Sequence, residues 1–195
     1  MLRFIGVYDY TVILTYLSLC SSVVGMILTS KGAFTAAIGC LFLSGFCDAF
    51  DGIVARSKKD RTDDEKAFGI QLDSLCDVVC FGVYPGLLCY HMGADGAVGM
   101  ICIFLYCLCA VCRLAFFNVI EGKRQQSEGG CNKVYRGLPV TAISIIFPVL
   151  YWFRFLLSAT AFTAMLCVML ALVAFLFVLD FSVKKPDWKK ILHIG

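Results

Sequence analysis

The sequence predicts an all-α membrane protein in which six transmembrane helices form one domain over residues 1–195. Its 195 residues are 60% hydrophobic and only 16% charged, and the mean hydropathy is +0.84. Soluble domains are about half apolar and about one quarter charged, so the composition excludes an ordinary soluble globule. A transmembrane helix needs about 20 apolar residues, which leaves room for six spans and short connections but for no separate soluble domain.

The six apolar segments follow one another with short polar breaks between them. The predicted spans are residues 10–28, 34–56, 68–90, 97–120, 138–155 and 159–181. The first is rich in serine, which favours close helix packing. We expect the third to bend near Pro85 and the fifth near Pro148, because proline removes a helical hydrogen bond. Residues 1–9 mix charged and apolar side chains, which predicts a short amphipathic helix at the membrane interface.

The connections between spans carry most of the basic residues. Residues 57–66 form a charged, solvated connection, residues 121–136 a polar loop and residues 184–190 a basic tail. With six spans, fourteen lysines and arginines fall on one side of the membrane, and Lys31 and Arg154 fall on the other. The positive-inside rule therefore predicts a multi-pass protein of the cell membrane with both termini in the cytoplasm. Because the basic residues line the membrane face, no nucleic-acid partner is expected.

The cysteines indicate a reducing environment or simple apolar packing. Eleven of the twelve fall within hydrophobic segments. A disulfide framework would place them in the loops of a small secreted chain, so we interpret them as free thiols. Cys107, Cys109 and Cys112 are close in sequence, but residues 107 and 109 face different sides of a helix, which favours packing over a metal site.

Four aspartates are the most unusual feature of the spans. Asp48 and Asp51 lie in the second span, and Asp73 and Asp77 lie in the third. An ionised side chain at membrane depth costs about 2.5 to 3.5 kcal/mol on insertion scales, so four of them together need a compensating ligand. Positions i and i+3 or i+4 share a helix face, so the members of each pair project together. If the two helices pack side by side, the four carboxylates meet in one small polar chamber.

The residue types in this chamber suit a divalent cation and a phosphate. Carboxylate oxygens favour Mg²⁺, Mn²⁺ or Ca²⁺ over zinc or copper, and two such ions about 3.5 to 4 Å apart are a recurring device for phosphoryl transfer. The small residues Gly52, Ala55 and Gly69 lie on or beside the same faces and leave room for a ligand. Arg56 ends the second span with a planar cation suited to phosphate.

These residues stand in a recognisable pattern. It reads Asp48-x-x-Asp51-Gly52-x-x-Ala55-Arg56, followed by Gly69-x-x-x-Asp73-x-x-x-Asp77. This pattern resembles the signature of the CDP-alcohol phosphatidyltransferases, membrane enzymes that move a phosphoalcohol from a CDP donor to a second alcohol. The twelve residues of the loop 57–68 make it longer than the family usually has. Residues 72–85, 113–118 and 137–141 are similar to the bacterial phosphatidylserine synthase branch.

The resemblance implies a reaction and a set of ligands. It implies CDP-diacylglycerol as donor and L-serine as acceptor, with phosphatidylserine and CMP as products. It also implies two Mg²⁺ or Mn²⁺ ions held by Asp48, Asp51, Asp73 and Asp77, with Asp77 as the general base. The positions that it assigns to the CDP moiety are Asp48, Gly52, Ala55, Arg56 and Gly69.

The family resemblance further suggests a homodimer. Small residues such as Gly39, Ser44 and Gly45 are candidates for close packing between helices, because they let backbones approach. Nothing in the sequence indicates which faces pair.

Three more polar residues are candidates for binding the acceptor or a lipid phosphate. Arg113 and Arg136 could pair with the carboxylate of serine, and Asn118 could offer a polar contact. Arg113 lies inside a span, where a charged side chain usually faces a cavity or a partner. For this residue, a structural ion pair with an aspartate or simple snorkelling to the interface is the competing interpretation.

Two other functions remain open at this point. The nearer one keeps the chemistry but uses glycerol 3-phosphate or an inositol phosphate as acceptor, which would demand additional cations for the second phosphate. The remote one is a cation or proton transporter whose membrane aspartates form an ion path. A transporter predicts carboxylates spread through the membrane depth, whereas these cluster at one end of two spans.

Overall fold

Long apolar helices pack around a shared core. The computed structural model describes residues 6, 10–58, 60, 62–126 and 134–184. The α-helices are α1 Ile13–Ser30, α2 Phe34–Ser57, α3 Asp63–Asp77, α4 Tyr84–His91, α5 Ala97–Gln126, α6 Ile143–Trp152 and α7 Ala159–Val178. A π-helical turn, Val78–Val83, joins α3 to α4. Short 3₁₀ turns precede α1 at Tyr10–Val12 and flank α6 at Val140–Ala142 and Phe153–Phe155.

Five helical stretches of the described chain are long and apolar enough to cross a membrane. They are Tyr10–Ser30, Phe34–Val54, Asp63–His91, Ala97–Gly122 and Ala159–Val178. The predicted span 138–155 forms the shorter apolar segment Val140–Phe155, because the backbone at Pro139 is still extended. The protein is therefore integral to the membrane, with five such helices where six spans were predicted. The expected interfacial segment 1–9 lies outside the described residues, apart from Gly6.

The third span begins earlier than predicted, inside the charged loop. Helix α3 starts at Asp63 because Thr62 caps it: the Glu65 N–H donates to Thr62 Oγ1 at 3.2 Å, and the Thr62 N–H donates to Glu65 Oε2 at 2.9 Å. This reciprocal capping box satisfies two backbone donors that a helix start otherwise leaves without partners. The predicted loop 57–66 is thus shorter, and its last residues are helical.

Helices α1 and α2 form an antiparallel hairpin whose turn contains Gly32, with φ at +75°. Hydroxyl groups hold the two helices together: Ser18 Oγ lies 2.7 Å from Ser44 Oγ, and Ser22 Oγ donates to the same Ser44 oxygen at 2.9 Å. Ser44 is fully buried by these contacts. The serine-rich character of the first span therefore serves packing within the chain.

Helix α6 packs against another face of α2. Gly45 makes this approach possible, since a Cβ at that position would overlap the Oγ and Cβ of Ser144. Ser44 and Gly45 are thus occupied inside the protomer, and of the three small residues considered for a dimer only Gly39 is exposed. The prediction that Ser44 and Gly45 serve contacts between protomers needs this correction.

The third span, α3 to α4, lies between α1 and α5, and α7 packs on α5. Large side chains from these helices fill the core. They include Phe81, Tyr84, Leu88, Tyr106, Phe147, Leu170 and Phe177. All eleven cysteines of the described ranges are free, as predicted.

A two-stranded ribbon is the one departure from an all-α fold within the described residues. Strands β1 Val134–Arg136 and β2 Ser182–Lys184 pair antiparallel, with Tyr135 opposite Val183. Gly137 follows β1 with φ at +68°, and its N–H donates to Phe181 O at 2.7 Å. The ribbon joins the connection before α6 to the segment after α7. These residues are far apart in the sequence, so the hydropathy pattern could not predict that they pair.

Candidate active site

Four carboxylates from two helices meet at one place, which we call the acidic site. Helix α2 supplies Asp48 and Asp51, and α3 supplies Asp73 and Asp77. Carboxylate oxygens of Asp48, Asp73 and Asp77 lie within 4.8 Å of one another. The side chains of Asp48 and Asp77 are in hydrogen-bonding contact, as are those of Asp51 and Asp73. In the part of the chain that the structure describes, no other group of acidic, histidine or cysteine side chains has metal-site spacing.

Burial makes this arrangement costly without a counter-charge. Asp77 is 8% exposed, and Asp48, Asp51 and Asp73 are half-buried. Ionised carboxylates so close together repel one another strongly away from bulk water. Protons or cations must therefore lie between them.

The donor set fits divalent cations. Asp73 Oδ1 is a buried oxygen without a hydrogen-bond partner among the described residues, and an unpaired buried acceptor costs about 1 to 3 kcal/mol. A bound cation would satisfy this oxygen. Because the three residues with metal-site spacing are all aspartates, the site suits Mg²⁺ or Mn²⁺ rather than a metal that prefers thiolate or imidazole.

Two residues that sequence reasoning missed contribute to the surroundings of the acidic site. Thr15 of α1 is buried, and its Oγ1 donates to Asp51 Oδ2 at 3.3 Å. Ser74, next to Asp73, donates to Asn118 Oδ1 of α5 at 2.7 Å. A threonine inside an apolar span gives no local signal of a partner on another helix. The contact of Ser74 brings the predicted residue Asn118 to the edge of the site.

The predicted CDP-binding residues follow the aspartates along the same helices. Gly52 is next to Asp51 and half-buried, and Gly69 lies one turn before Asp73 on α3. Ala55 and Arg56 lie in the last turns of α2, and their side chains fall outside the described part of the structure. The same holds for the side chain of Arg136, whose backbone forms the end of β1.

Arg113 lies against the turn that joins β1 to α6. A Cβ on Gly137 would stand 2.7 Å from Arg113 Nη1 and 3.2 Å from Leu179 O. The guanidinium also interacts electrostatically with Asp180, just after α7. Arg113 therefore connects α5 with the segments that flank α6 and α7. The competing interpretation of Arg113, a structural ion pair with an aspartate, agrees with this interaction with Asp180.

Comparison with known proteins identifies relatives over most of the chain. Residues 10–184 match the profile of a family described as CDP-alcohol phosphatidyltransferase. The chain is similar to the archaetidylserine synthase of Methanothermobacter thermautotrophicus, with 34% identity over 134 residues that cover 68% of this chain and 54% of that protein. It is also similar to the CDP-diacylglycerol–serine O-phosphatidyltransferase of Saccharomyces cerevisiae, with 31% identity over 160 residues that cover 79% of this chain and 56% of that protein.

A bacterial relative matches a shorter stretch. The CDP-diacylglycerol–serine O-phosphatidyltransferase of Bacillus subtilis is 34% identical over 90 residues, which cover 45% of this chain and 49% of that protein. The chain thus spans about half the length of the curated relatives that it matches.

Proposed function

The chain belongs to the CDP-alcohol phosphatidyltransferase family, and from this premise we propose that it transfers the phosphatidyl group of CDP-diacylglycerol to the hydroxyl of L-serine. The products are phosphatidylserine and CMP. The observation that carries the proposal is the convergence of four carboxylates from α2 and α3 on one site. Serine is favoured as acceptor because the relatives' names specify serine or archaetidylserine.

The four aspartates would hold two divalent cations. Such ions neutralise the diphosphate of the donor and stabilise the charge that develops on the CMP leaving group. The chain's own contribution is to fix the ligand oxygens. Asp48 and Asp51 are set by α2, Asp73 and Asp77 by α3, and the Thr15 hydroxyl restrains Asp51 from α1.

Asp77 is the proposed general base. It is the most buried of the four carboxylates and touches Asp48. It would take the proton from the serine hydroxyl, whose oxygen forms a bond to the phosphorus that carries diacylglycerol, while the bond from that phosphorus to the oxygen of CMP breaks. A general base must come within hydrogen-bond reach of the hydroxyl that it deprotonates.

The nucleotide would lie beside the ends of α2 and α3 that face the connecting loop. Gly52, Ala55 and Gly69 leave room for it, Asp48 contributes a contact, and Arg56 would pair with phosphate. The connection between the two helices lies at this same end of α2 and α3, where its side chains could approach the nucleotide.

The acceptor would bind near Asn118, Arg113 and Arg136. Asn118 is the best supported of these residues, because its hydrogen bond to Ser74 attaches it to the helix that carries Asp73. Arg113 lies against Gly137, and Arg136 directly precedes that glycine in the sequence. Either guanidinium could pair with the serine carboxylate.

We also propose an orientation and an assembly. The excess of basic residues supports a cytoplasmic location for both termini and for the acidic site, in one domain that spans residues 1–195 of a cell membrane protein. A cytosolic nucleotide product could then leave directly. The family resemblance supports a homodimer, in which exposed Gly39 is available for a helix contact.

The deciding experiment measures CMP release by the full chain in detergent with CDP-diacylglycerol and Mn²⁺ or Mg²⁺. L-serine, glycerol 3-phosphate and an inositol phosphate are offered separately. We expect release with serine alone, loss of release on chelation of the metal, and a loss of about a hundredfold or more in Asp77→Asn. Asp95→Asn, which removes an exposed carboxylate outside the acidic site, is the matched control and should retain full activity.

Each other outcome has a distinct meaning. Release with a phosphorylated acceptor would keep the metal-assisted transfer and replace the substrate. No release with any of the three acceptors would contradict the proposed transfer and favour a transport or binding function for the acidic site.

A further inference from the structure

The π-helical turn Val78–Val83 begins at the residue after Asp77 and interrupts the helical stretch Asp63–His91 near its middle. The N–H of Tyr84 donates to Val79 O, five residues earlier, where an α-helix would bond four residues back. Such single π turns are rare and are frequent at functional sites. The π turn lies next to the acidic site, because Val78 directly follows Asp77.

Two side chains of α5 satisfy carbonyl groups of this turn. Pro85 has no N–H, so the carbonyl of Phe81, four residues before it, lacks an α-helical partner. The hydroxyl of fully buried Tyr106 donates to that oxygen at 2.5 Å. The Cys107 thiol lies 3.4 Å from Gly82 O. The π turn is therefore held from outside by the neighbouring helix.

The halves of the span on either side of the turn are attached to different parts of α2. After it, the Tyr84 hydroxyl donates to Ala37 O of α2 at 2.6 Å, and Leu88 is fully buried. Before it, Asp73 and Asp77 face the carboxylates of α2. A π turn contains one residue more than an α turn, so replacing it by regular helix would rotate one half against the other by about 100° and shift it by about 1.5 Å. With α4 held by Tyr84, that rotation would turn Asp73 and Asp77 away from Asp48.

We propose that Tyr106 is a positioning residue for the acidic site. Its hydroxyl holds the Phe81 carbonyl, which keeps the π turn, and the π turn aims Asp73 and Asp77 at the carboxylates of α2. Tyr106 itself makes no contact with the reacting groups. The inference rests on the proposed function only in that the acidic site binds a divalent cation.

The test is Mn²⁺ binding by the full chain in detergent, followed by the electron paramagnetic resonance signal of unbound Mn²⁺. Tyr106→Phe should lower the affinity by about tenfold or more, as expected when a group that orients metal ligands is lost. Ser21→Ala is the matched control, since it also removes a hydroxyl that donates to a backbone carbonyl, that of Cys40 on α2. It should keep wild-type affinity, because Cys40 lies about two turns of α2 before Asp48 and the contact does not involve the π turn. In enzyme assays, Tyr106→Phe should raise the Mn²⁺ concentration that is needed for half-maximal activity.

A double variant separates the effect on the orientation of Asp73 and Asp77 from the effect on the stability of the protein. Adding Pro85→Ala to Tyr106→Phe supplies the N–H that the Phe81 carbonyl lacks, but in the α-helical register. We expect this variant to regain thermal stability while Mn²⁺ affinity stays low, and it replaces Tyr106→Phe in the titration should the single variant not fold. Recovery of Mn²⁺ affinity together with stability, or wild-type affinity in a folded Tyr106→Phe protein, would overturn the inference. Absence of Mn²⁺ binding by the unsubstituted protein would instead overturn the metal site, and this inference with it.

Discussion

At the scale of single residues, the carboxylate oxygens of the acidic site differ in whether a hydrogen-bond partner already restrains them. Asp51 is restrained by Thr15, whereas Asp73 Oδ1 is buried with no partner among the residues described. An oxygen of this kind is available to a cation without breaking an existing hydrogen bond. We therefore expect Thr15 to affect metal binding through Asp51, whose carboxylate it restrains.

Replacing Thr15 by valine removes the hydroxyl and keeps the shape of the side chain. Because Asp51 then loses its restraint from α1, we expect Mn²⁺ affinity to fall by about tenfold, within the range known for groups that orient metal ligands. Titration of the purified variant with Mn²⁺ measures this. Thr15→Ser retains the hydroxyl and should retain the affinity. Equal affinities in Thr15→Val and the unsubstituted protein would show that the contact has no role in metal binding.

At the scale of helices, the start of α3 is decided by the capping box at Thr62 and Glu65. We expect Thr62→Ala to destabilise the first turn of α3 by about 1 kcal/mol, because its side chain no longer accepts from the Glu65 N–H. Hydrogen exchange of the Glu65 and Lys66 amides, which donate to Thr62, should accelerate, while amides near Asp77 should not change. Thr62→Ser should exchange like the unsubstituted protein. Unchanged exchange in the alanine variant would mean that other contacts hold this turn.

The contact between α2 and α6 gives a second prediction at this scale. Gly45→Ala places a methyl group where Ser144 already lies, so we expect a loss of about 1 to 3 kcal/mol in the free energy of unfolding. Gly39→Ala, two turns earlier on the same helix, meets no atom within 4 Å and should not destabilise the protein. Denaturant titration of both variants measures the free energy of unfolding of each.

A compensating change checks the cause of that loss. Adding Ser144→Gly to Gly45→Ala removes the overlapping side chain and should restore part of the lost stability. If it restores none, the effect of the alanine arises from somewhere other than the contact between α2 and α6.

At the scale of the whole molecule, the distribution of charge predicts which side of the membrane holds the acidic site. Reporter fusions inserted at residue 60 and at residue 95 lie at opposite ends of the third span. We expect a reporter that functions only in the cytoplasm to be active at residue 60 and inactive at residue 95, since basic loops are retained inside. The reverse pattern would contradict the proposed orientation and would leave the nucleotide product on the wrong side.

Several features of the molecule could be predicted because they depend on local patterns. Apolar runs of sufficient length identified the spans, with Val140–Phe155 as the exception because the extended backbone at Pro139 shortens its helix. Spacings of three and four residues placed each pair of aspartates on one helix face. The start of α3 could also have been predicted, because Thr62-Asp63-Asp64-Glu65 is a capping-box sequence.

By itself, then, the sequence determined the helical membrane fold, the acidic pairs and the family signature, since each follows from the order of residues along one helix or one motif. Tertiary structure alone decided that Thr15 restrains Asp51, that Arg113 lies against Gly137 beside Asp180, and that Tyr106 holds the Phe81 carbonyl. Each of these contacts joins side chains from different helices. Helical periodicity shows which way a side chain points but not which neighbour it meets, because the neighbour depends on how the helices pack.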